Sequence, residues 1–477
     1  MTETREGLVR FAGFAVGVCV GSLLAGACVT ETSGEGKWSG SVEVVAGTTV
    51  IRTPSVDDER VAIPVEEVLR IGVRDGAAEY QFGYPTRAVP GGGGEVYVWD
   101  EQLKTLRKYD AMGRFVRNIG GVGEGPGEFR TVEGLVVTEG DIVLWDGGNG
   151  RANVYDIAGV FRTSWRVPQS PGYVDTGLAT DARGAVYLPQ TVQGGDAFIE
   201  VRLTDGTGID TVLAPALEPG ERLRAVSATG LMLQVPIPFA PERFVAFHPG
   251  GFFIGGVGDD YRITLFRRDA EPLRIEREVE AIPISGGKRR QLRERLTDVM
   301  RMADPGWEWE GPPIPEVRPY FVGLTVGSDG TIWVRRTVAP EESVYEEVID
   351  EIGDLLRRET EQPETFDVFG ADGRLRGQVV LPENATLLSV DGKSLWARVL
   401  GERGAEFRDE RDGRGREPDG LGRYARGSPR RVRAAGLLRD LVCPVRGEVS
   451  GAAPRPAPVG RIHRLKPAPV AFRMAIP

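Results

Sequence analysis

The sequence predicts an all-β fold, a six-bladed β-propeller, from three observations. First, a short strand opened by Gly or Lys recurs six times, at Gly94, Gly140, Gly184, Gly250, Gly330 and Lys393. Each copy is rich in β-branched and aromatic residues, as in Gly94-Glu-Val-Tyr-Val and Gly330-Thr-Ile-Trp-Val, which suits a pleated, half-buried surface. Second, another strand often follows with an Asp or Gly turn behind it: Arg107-Lys-Tyr-Asp-Ala-Met-Gly, Asn153-Val-Tyr-Asp-Ile-Ala-Gly, Asp367-Val-Phe-Gly-Ala-Asp-Gly. Third, the early copies repeat at about 45 residues, the length of a four-stranded blade. Glycine supplies 65 of 477 residues, about twice the usual share and fitting for a chain of many tight turns.

The clearest copy runs from Gly94 to Phe129. Val96 and Val98 alternate with Tyr97 and Trp99, and Asp100 ends the run. Leu106 to Asp110 and Phe115 to Ile119 read as two further strands joined by Ala111-Met112-Gly113. Gly120 to Gly127 holds five Gly and one Pro in eight residues, so neither helix nor strand is expected there.

The first 27 residues read as a signal peptide. Arg5 and Arg10 precede an apolar or small run from Phe11 to Ala27, which ends in Leu24-Ala25-Gly26-Ala27-Cys28. That ending resembles a bacterial lipoprotein box with Cys28 as the lipidated first residue. It also reads as Ala-x-Ala cleavage at the same bond, and a retained anchor is a further alternative. Residues 28–41 are Gly, Ser, Thr and Glu in the main, a flexible tether. Val42 to Pro54 reads as one strand without a neighbouring partner. It is expected to close the ring by joining the last blade, because an open ring exposes sheet edges.

Cys19 leaves with the signal, Cys28 carries lipid and Cys443 has no partner, so a large core must replace disulfides. The net charge of −10 counts against a nucleic-acid partner. Two helices are expected as insertions. In 287–302, Leu292, Leu296, Val299 and Met300 share a face. In 341–358, which follows Pro340, Val344, Val348, Ile352 and Leu355 form a stripe.

After Leu400 the alternation stops. Residues 402–477 contain 16 Arg, one Lys and nine carboxylates. The Arg bias suggests a reading-frame change, and a natural disordered tail is the alternative. Either leaves the sixth blade incomplete.

Asp110-Ala-Met-Gly-Arg-Phe-Val-Arg-Asn-Ile-Gly-Gly-Val-Gly-Glu-Gly-Pro-Gly-Glu-Phe resembles the signature of bacterial six-bladed β-propeller lipoproteins, relatives of the NHL-repeat propellers. Pro319-Tyr-Phe-Val-Gly-Leu and Phe366-Asp-Val-Phe-Gly-Ala-Asp-Gly are also similar to that group. The resemblance covers roughly Val42 to Leu400. It implies the fold and leaves activity open, because propellers host many functions.

Catalytic chemistry is sparse. Only His248 and His463 exist, and neither sits in a pattern for nucleophilic catalysis or zinc. His248, in Phe247-His-Pro-Gly, is expected to be structural or solvent-facing. Gly120 to Gly127 matches no phosphate-binding spacing. Asp100 and Asp146 each end a Trp-Asp strand and are explained as turn residues. Pooled at a channel mouth, they could instead hold Ca²⁺ or another divalent ion. Trp307 and Trp309, on a Pro-rich stretch, form a candidate ligand surface for peptide or carbohydrate; burial against the first helix is the structural alternative.

The favoured reading is an exported, lipid-anchored, monomeric and non-catalytic binding or scaffold protein. No catalytic, cofactor or metal residues are assigned, and the ligand is an unknown protein, peptide or carbohydrate. The alternative is a metal-dependent hydrolase of lactonase type with carboxylates at the channel mouth.

Overall fold

The computed structural model describes residues 38–55, 62–167, 177–339 except 219, 231 and 269, 363–400 except 393, and 469–475. The chain begins with β1 (Ser41–Val45), β2 (Thr48–Thr53) and β3 (Glu66–Ile71). Blade one follows as β4 (Pro85–Pro90), β5 (Val96–Asp100), β6 (Thr105–Tyr109) and β7 (Phe115–Ile119). The glycine-rich stretch holds a two-residue parallel pair, β8 (Gly121–Val122) with β9 (Glu128–Phe129). This corrects the expectation of no strand there. Glycine's freedom lets the loop fold back far enough for its two ends to pair.

Blade two is β10 (Val132–Val137), β11 (Asp141–Asp146), β12 (Arg151–Asp156) and β13 (Phe161–Arg166). Blade three is β14 (Ala179–Thr180), β15 (Val186–Val192), β16 (Gly195–Val201) and β17 (Gly208–Leu213). A separate hairpin, β18 (Arg222–Val226) with β19 (Met232–Pro236), precedes blade four. Blade four is β20 (Arg243–His248), β21 (Phe252–Val257), β22 (Arg262–Phe266) and β23 (Leu273–Arg277).

The helix α1 (Gly286–Ala303) then leads to blade five. That blade is β24 (Phe321–Val326), β25 (Ile332–Arg336), β26 (Thr365–Phe369) and β27 (Leu375–Val380). Blade six comprises β28 (Ala385–Val390), β29 (Ser394–Leu400), β30 (Pro469–Ala475) and β3, in that order. The six blades confirm the expected fold class. The expected second helix, 341–358, lies outside the described residues, as do Cys28, Cys443, His463 and residues 401–468.

Two expectations about ring closure are corrected. Blade six has four strands, because β30 pairs with β29 from Ser394↔Ala475 to Leu400↔Pro469 and with β3 on its other side. The Arg- and Gly-rich composition of the preceding residues hid this short apolar strand. Val42 to Pro54 does not close the ring. It folds into the β1–β2 hairpin, and β2 adds in parallel to the outer strand of blade four, Thr49↔Leu273 through Thr53↔Arg277. Ala46 (φ 48°) and Gly47 (φ 77°) make that hairpin possible, since a two-residue turn of this hand needs positive φ at both positions. Ala46→Asn, which tolerates that region better, is expected to raise stability by about 0.5–1 kcal/mol, read as a higher Tm.

Six apolar clusters fill the six blade interfaces. Tyr97, Trp99, Phe129, Ile142 and Tyr155 join blades one and two. Ile254, Ile263, Ile275, Phe321 and Phe369 join blades four and five. Ile71, Trp396, Val98 and Tyr109 join blades six and one. The recurring Asp- and Gly-containing turns have a physical cause. Gly113 (φ 73°) and Gly373 (φ 79°) each bring the third-to-fourth strand turn onto the outer strand of the preceding blade. A Cβ there would lie 2.9 Å from Leu69 or 2.8 Å from Leu273.

The up-and-down order gives the ring two unlike faces. First-to-second and third-to-fourth strand turns lie on one face, where none exceeds six residues. Second-to-third loops and blade crossovers lie on the other. Among the described residues that loop face carries the crossovers 72–84, 120–131, 214–242 and 278–320.

Candidate functional site

The loop face therefore holds the candidate functional groups. Its carboxylates at the ends of second strands are buried and engaged. Asp100 accepts from the backbone N–H groups of Gly83 (2.6 Å), Tyr84 (3.0 Å), Gln102 (3.0 Å) and Leu103 (2.9 Å). Asp146 accepts from Arg130 (3.0 Å), Thr131 (3.2 Å) and Asn149 (3.3 Å) N–H and from Asn149 Nδ2 (2.6 Å). Each carboxylate thus ties its own turn to the crossover entering its blade, as the turn-residue reading expects.

Third strands supply a second set of staples. Tyr109 Oη donates to Glu79 O at 2.6 Å, and Tyr155 Oη to Gly127 O at 2.9 Å. Burial pushes both phenols above their usual range, so each remains a donor. Tyr155→Phe is expected to cost about 1–2 kcal/mol, because Gly127 O stays buried without its donor; denaturant unfolding would measure it.

The glycine-rich crossover presents carbonyls inward, and these carbonyls are already engaged. Arg151 Nη2 donates to Gly125 O (2.6 Å) and Glu128 O (2.8 Å), and Asn149 Nδ2 donates to Gly123 O (2.9 Å). A guanidinium thus occupies the place where a carbonyl cage would hold a cation. Among the described residues no group of three or more His, Cys, Asp or Glu could hold a metal ion.

Bulges interrupt the inner strands of blades one, two and five between Pro85 and Arg87, Val132 and Gly134, and Phe321 and Gly323. Such bulges re-aim side chains. At the blade one–two bulges, Arg87 Nη2 donates to Glu133 O at 2.5 Å. Burial and the charge of Asp146 push the Glu133 carboxyl up, while Arg87 pulls it down.

Two crossovers meet in a small cap beside blade four. Leu223, Ala225, Leu233 and Val235 of the β18–β19 hairpin pack on Leu292, Leu296 and Met300 of α1. Ser285 caps the helix by accepting from Lys288 N–H at 3.2 Å. Trp307 belongs to this core, with Nε1 donating to Arg224 O at 2.7 Å. Trp309 is half-buried, edge-on to Trp307 at 6.1 Å, and donates to Gly311 O at 2.9 Å.

The free aromatic ligand surface expected at Trp307 and Trp309 is corrected accordingly. The hairpin, absent from the sequence reading, gives Trp307 an apolar pocket and a carbonyl partner. An alternating Arg-Leu-Arg-Ala-Val facing Met-Leu-Gln-Val-Pro across a Gly turn was the signal available.

Beneath the cap lies a cleft lined by Ile282, Arg318, Tyr320, Arg336 and Thr337, with about 220 Å³ of space counted out to solvent.

His248 lies on the opposite, turn face and is buried. Its Nδ1 accepts from Gly250 N–H at 2.9 Å, so the ring carries its proton on Nε2, which donates to Gly330 O at 3.2 Å. The ring stacks on Phe252 at 4.4 Å. Burial lowers its pKa from 6.5. Below pH 6.5 the unfolded chain binds the proton more readily. The stabilising contribution is therefore full above that pH and declines as pH falls towards the folded pKa. His248→Gln should flatten that part of the stability–pH curve.

No protein-family model and no curated protein matches this chain. Solved structures of similar shape include a Bacteroides fragilis protein described as a "Putative exported protein". It is 11% identical, covers 73% of this chain and 88% of its own, and has a TM-score of 0.41. Virginiamycin B lyase from Staphylococcus aureus is 9% identical over 70% of this chain and 95% of its own, with a TM-score of 0.34. A Bacteroides caccae protein of unknown function is 10% identical over 62% and 81%, with a TM-score of 0.31. Among the described residues no helix is long and apolar enough to cross a membrane.

Proposed function

We propose that the chain is an exported, lipid-anchored β-propeller that acts as a binding or scaffold protein and meets a macromolecular partner with its loop face. The observation that carries this reading is the asymmetry of the ring. Among the described residues the long crossovers 120–131, 214–242 and 278–320 lie on the loop face, while the first-to-second and third-to-fourth strand turns of the other face have six residues or fewer. Loops on a rigid scaffold are where recognition residues concentrate. Two further observations support binding over catalysis: Asp100 and Asp146 are engaged by backbone donors, and the cleft is small. The partner is a protein, peptide or carbohydrate. Lipid attachment at Cys28 rests on the apolar run that ends in Leu24-Ala25-Gly26-Ala27-Cys28.

Photo-crosslinking residues placed at Gln102, Glu124 and Glu308 on the loop face should trap a discrete partner in the native envelope. The same chemistry at Met112 and Asp372 on the turn face should not. Equal trapping from both faces, or a stoichiometric divalent ion in the purified protein, would count against the reading. For the anchor, the mature protein should begin at an acylated Cys28, and Cys28→Ser should release it from the membrane. A chain beginning at Met1 in membrane extracts would defeat that part.

A further inference from the structure

This inference deepens the loop-face reading above and rests on it for the partner. At one repeat position near the loop-face end of the second strand, charge replaces an aromatic residue. The position is Trp99 in Val96-Tyr-Val-Trp and Trp145 in Ile142-Val-Leu-Trp. It is Arg335 in Ile332-Trp-Val-Arg and Arg398 in Leu395-Trp-Ala-Arg.

In blade five the charge is matched. Arg335 Nη1 lies 3.2 Å from Glu364 Oε1. Glu364 Oε2 accepts at 3.0 Å from the N–H of Leu387, on the inner strand of blade six. The buried Glu364 carboxylate therefore sits in the joint between its own blade and the next.

Blade six repeats the arginine without the carboxylate. Arg335 pairs with Phe366, and Arg398 pairs with Ala471. Glu364 precedes Phe366 by two residues, and Pro469 precedes Ala471 by two. The place of the acid is thus taken by an uncharged residue. Arg398 shares its strand face with Trp396, which packs against blade one. It is only 9% exposed. Its Nη1 donates to Pro85 O at 3.2 Å, and its guanidinium lies 4.2 Å from the Tyr84 ring centroid. Its Nε is buried without a hydrogen-bond partner. Among the described residues no carboxylate pairs with it. The nearby Asp100 is already engaged by backbone N–H groups, two of them from Gly83 and Tyr84.

A guanidinium withdrawn from water beside one neutral acceptor is unfavourable, because neither hydration nor a countercharge offsets it. Tyr84, stacked on it, is 43% exposed, so this corner borders solvent where the joint between blades six and one opens on the loop face. We propose that Arg398 binds a carboxylate, presented by an acidic side chain of the loop-face partner and seated where blade five holds its own Glu364. The planar fork of the guanidinium suits a carboxylate.

The test is thermal unfolding of the full-length protein in carboxylate-free buffer. Sodium acetate or the blocked tripeptide acetyl-Ala-Glu-Ala-amide is added at constant ionic strength. Sodium chloride and the Gln counterpart of the tripeptide are the controls. Tm should rise saturably with acetate and with the Glu tripeptide, and stay level with the controls. Arg398→Met should keep a cooperative melt, because it removes an unmatched charge. It should weaken both responses by at least about tenfold. Pro469→Glu rebuilds the blade-five arrangement, so it should raise the Tm of the free protein and abolish the response. No saturable rise in the natural protein, an equal rise in Arg398→Met, or a full rise retained in Pro469→Glu overturns the proposal. A response to acetate without one to the Glu tripeptide overturns the side-chain source and assigns the slot to a free carboxylate. If acetate has no effect while crosslinks still form from Gln102, the slot fails and the loop-face reading stands. If acetate binds while no loop-face position crosslinks, the partner fails and the slot stands.

Discussion

Asp367→Ala should destabilise the protein by about 3–5 kcal/mol, the expected result of removing one partner from a buried ion cluster. Asp367 is fully buried on the third strand of blade five. It accepts from Tyr261 Oη at 2.5 Å and Gln378 Nε2 at 3.2 Å, pairs with Arg277 and lies 3.9 Å from Arg336 Nε. Burial, and next the Asp367 charge, push the Tyr261 phenol far above its usual range, so Tyr261 is the donor in that bond. The Arg277 side chain is 1% exposed, so deleting the carboxylate removes the paired countercharge of a guanidinium buried away from water at the joint between blades four and five.

Truncation to Ala and replacement by an apolar pair should differ in size. Arg277→Met with Asp367→Leu removes both charges and should recover most of the loss, because two desolvation penalties disappear together. Thermal unfolding of the singles and the double gives the coupling energy. A loss below about 1 kcal/mol for Asp367→Ala, within the range of an exposed pair, would show that the cluster does not hold the joint.

That cluster also shows what the sequence made legible and what it concealed. Repetition announced the blades, because each strand must present the same alternation to its neighbours; Val96-Tyr-Val-Trp and Ile332-Trp-Val obey it alike. The polar staples were legible only in part. Asp100 and Asp146 sit at one repeat position, and turn chemistry explains them. In blade five the equivalent position is Arg336, opposite Phe321 as Asp100 is opposite Pro85. The carboxylate has moved to Asp367, at the third-strand position held by Arg107 in blade one and Asn153 in blade two.

Such an exchange of charge between two strands is invisible until the register is known. The same limit applies to the Trp307 and Trp309 surface, whose burial depends on a hairpin some 70 residues earlier. It also applies to β30, where seven residues beyond a long compositionally foreign stretch find a slot between β29 and β3.

Ring closure provides the largest expected effect of a deletion, and it separates two N-terminal segments with different duties. The chain wraps the rim before entering blade one. The β1–β2 hairpin adds to blade four, Ile63 N–H donates to Gln378 O on blade five at 2.7 Å, and β3 completes blade six. Removing residues 38–65 takes away an added edge and leaves all six blades with four strands, so Tm should fall by a few degrees. Removing 38–71 takes β3 as well. It frees the backbone of β30 along Glu66↔Ala475 to Ile71↔Ala471, and withdraws Ile71, 1% exposed, from the core between blades six and one. Loss of a buried Ile alone costs about 2–5 kcal/mol, and the open edge adds a template for aggregation. A chain ending after Leu400 should fare as badly, since β3 reaches blade six only through β30. The measurement is the melting curve and the monomer fraction of the three truncations. If the 38–65 deletion melts as low as the 38–71 deletion, the hairpin and not β3 closes the ring.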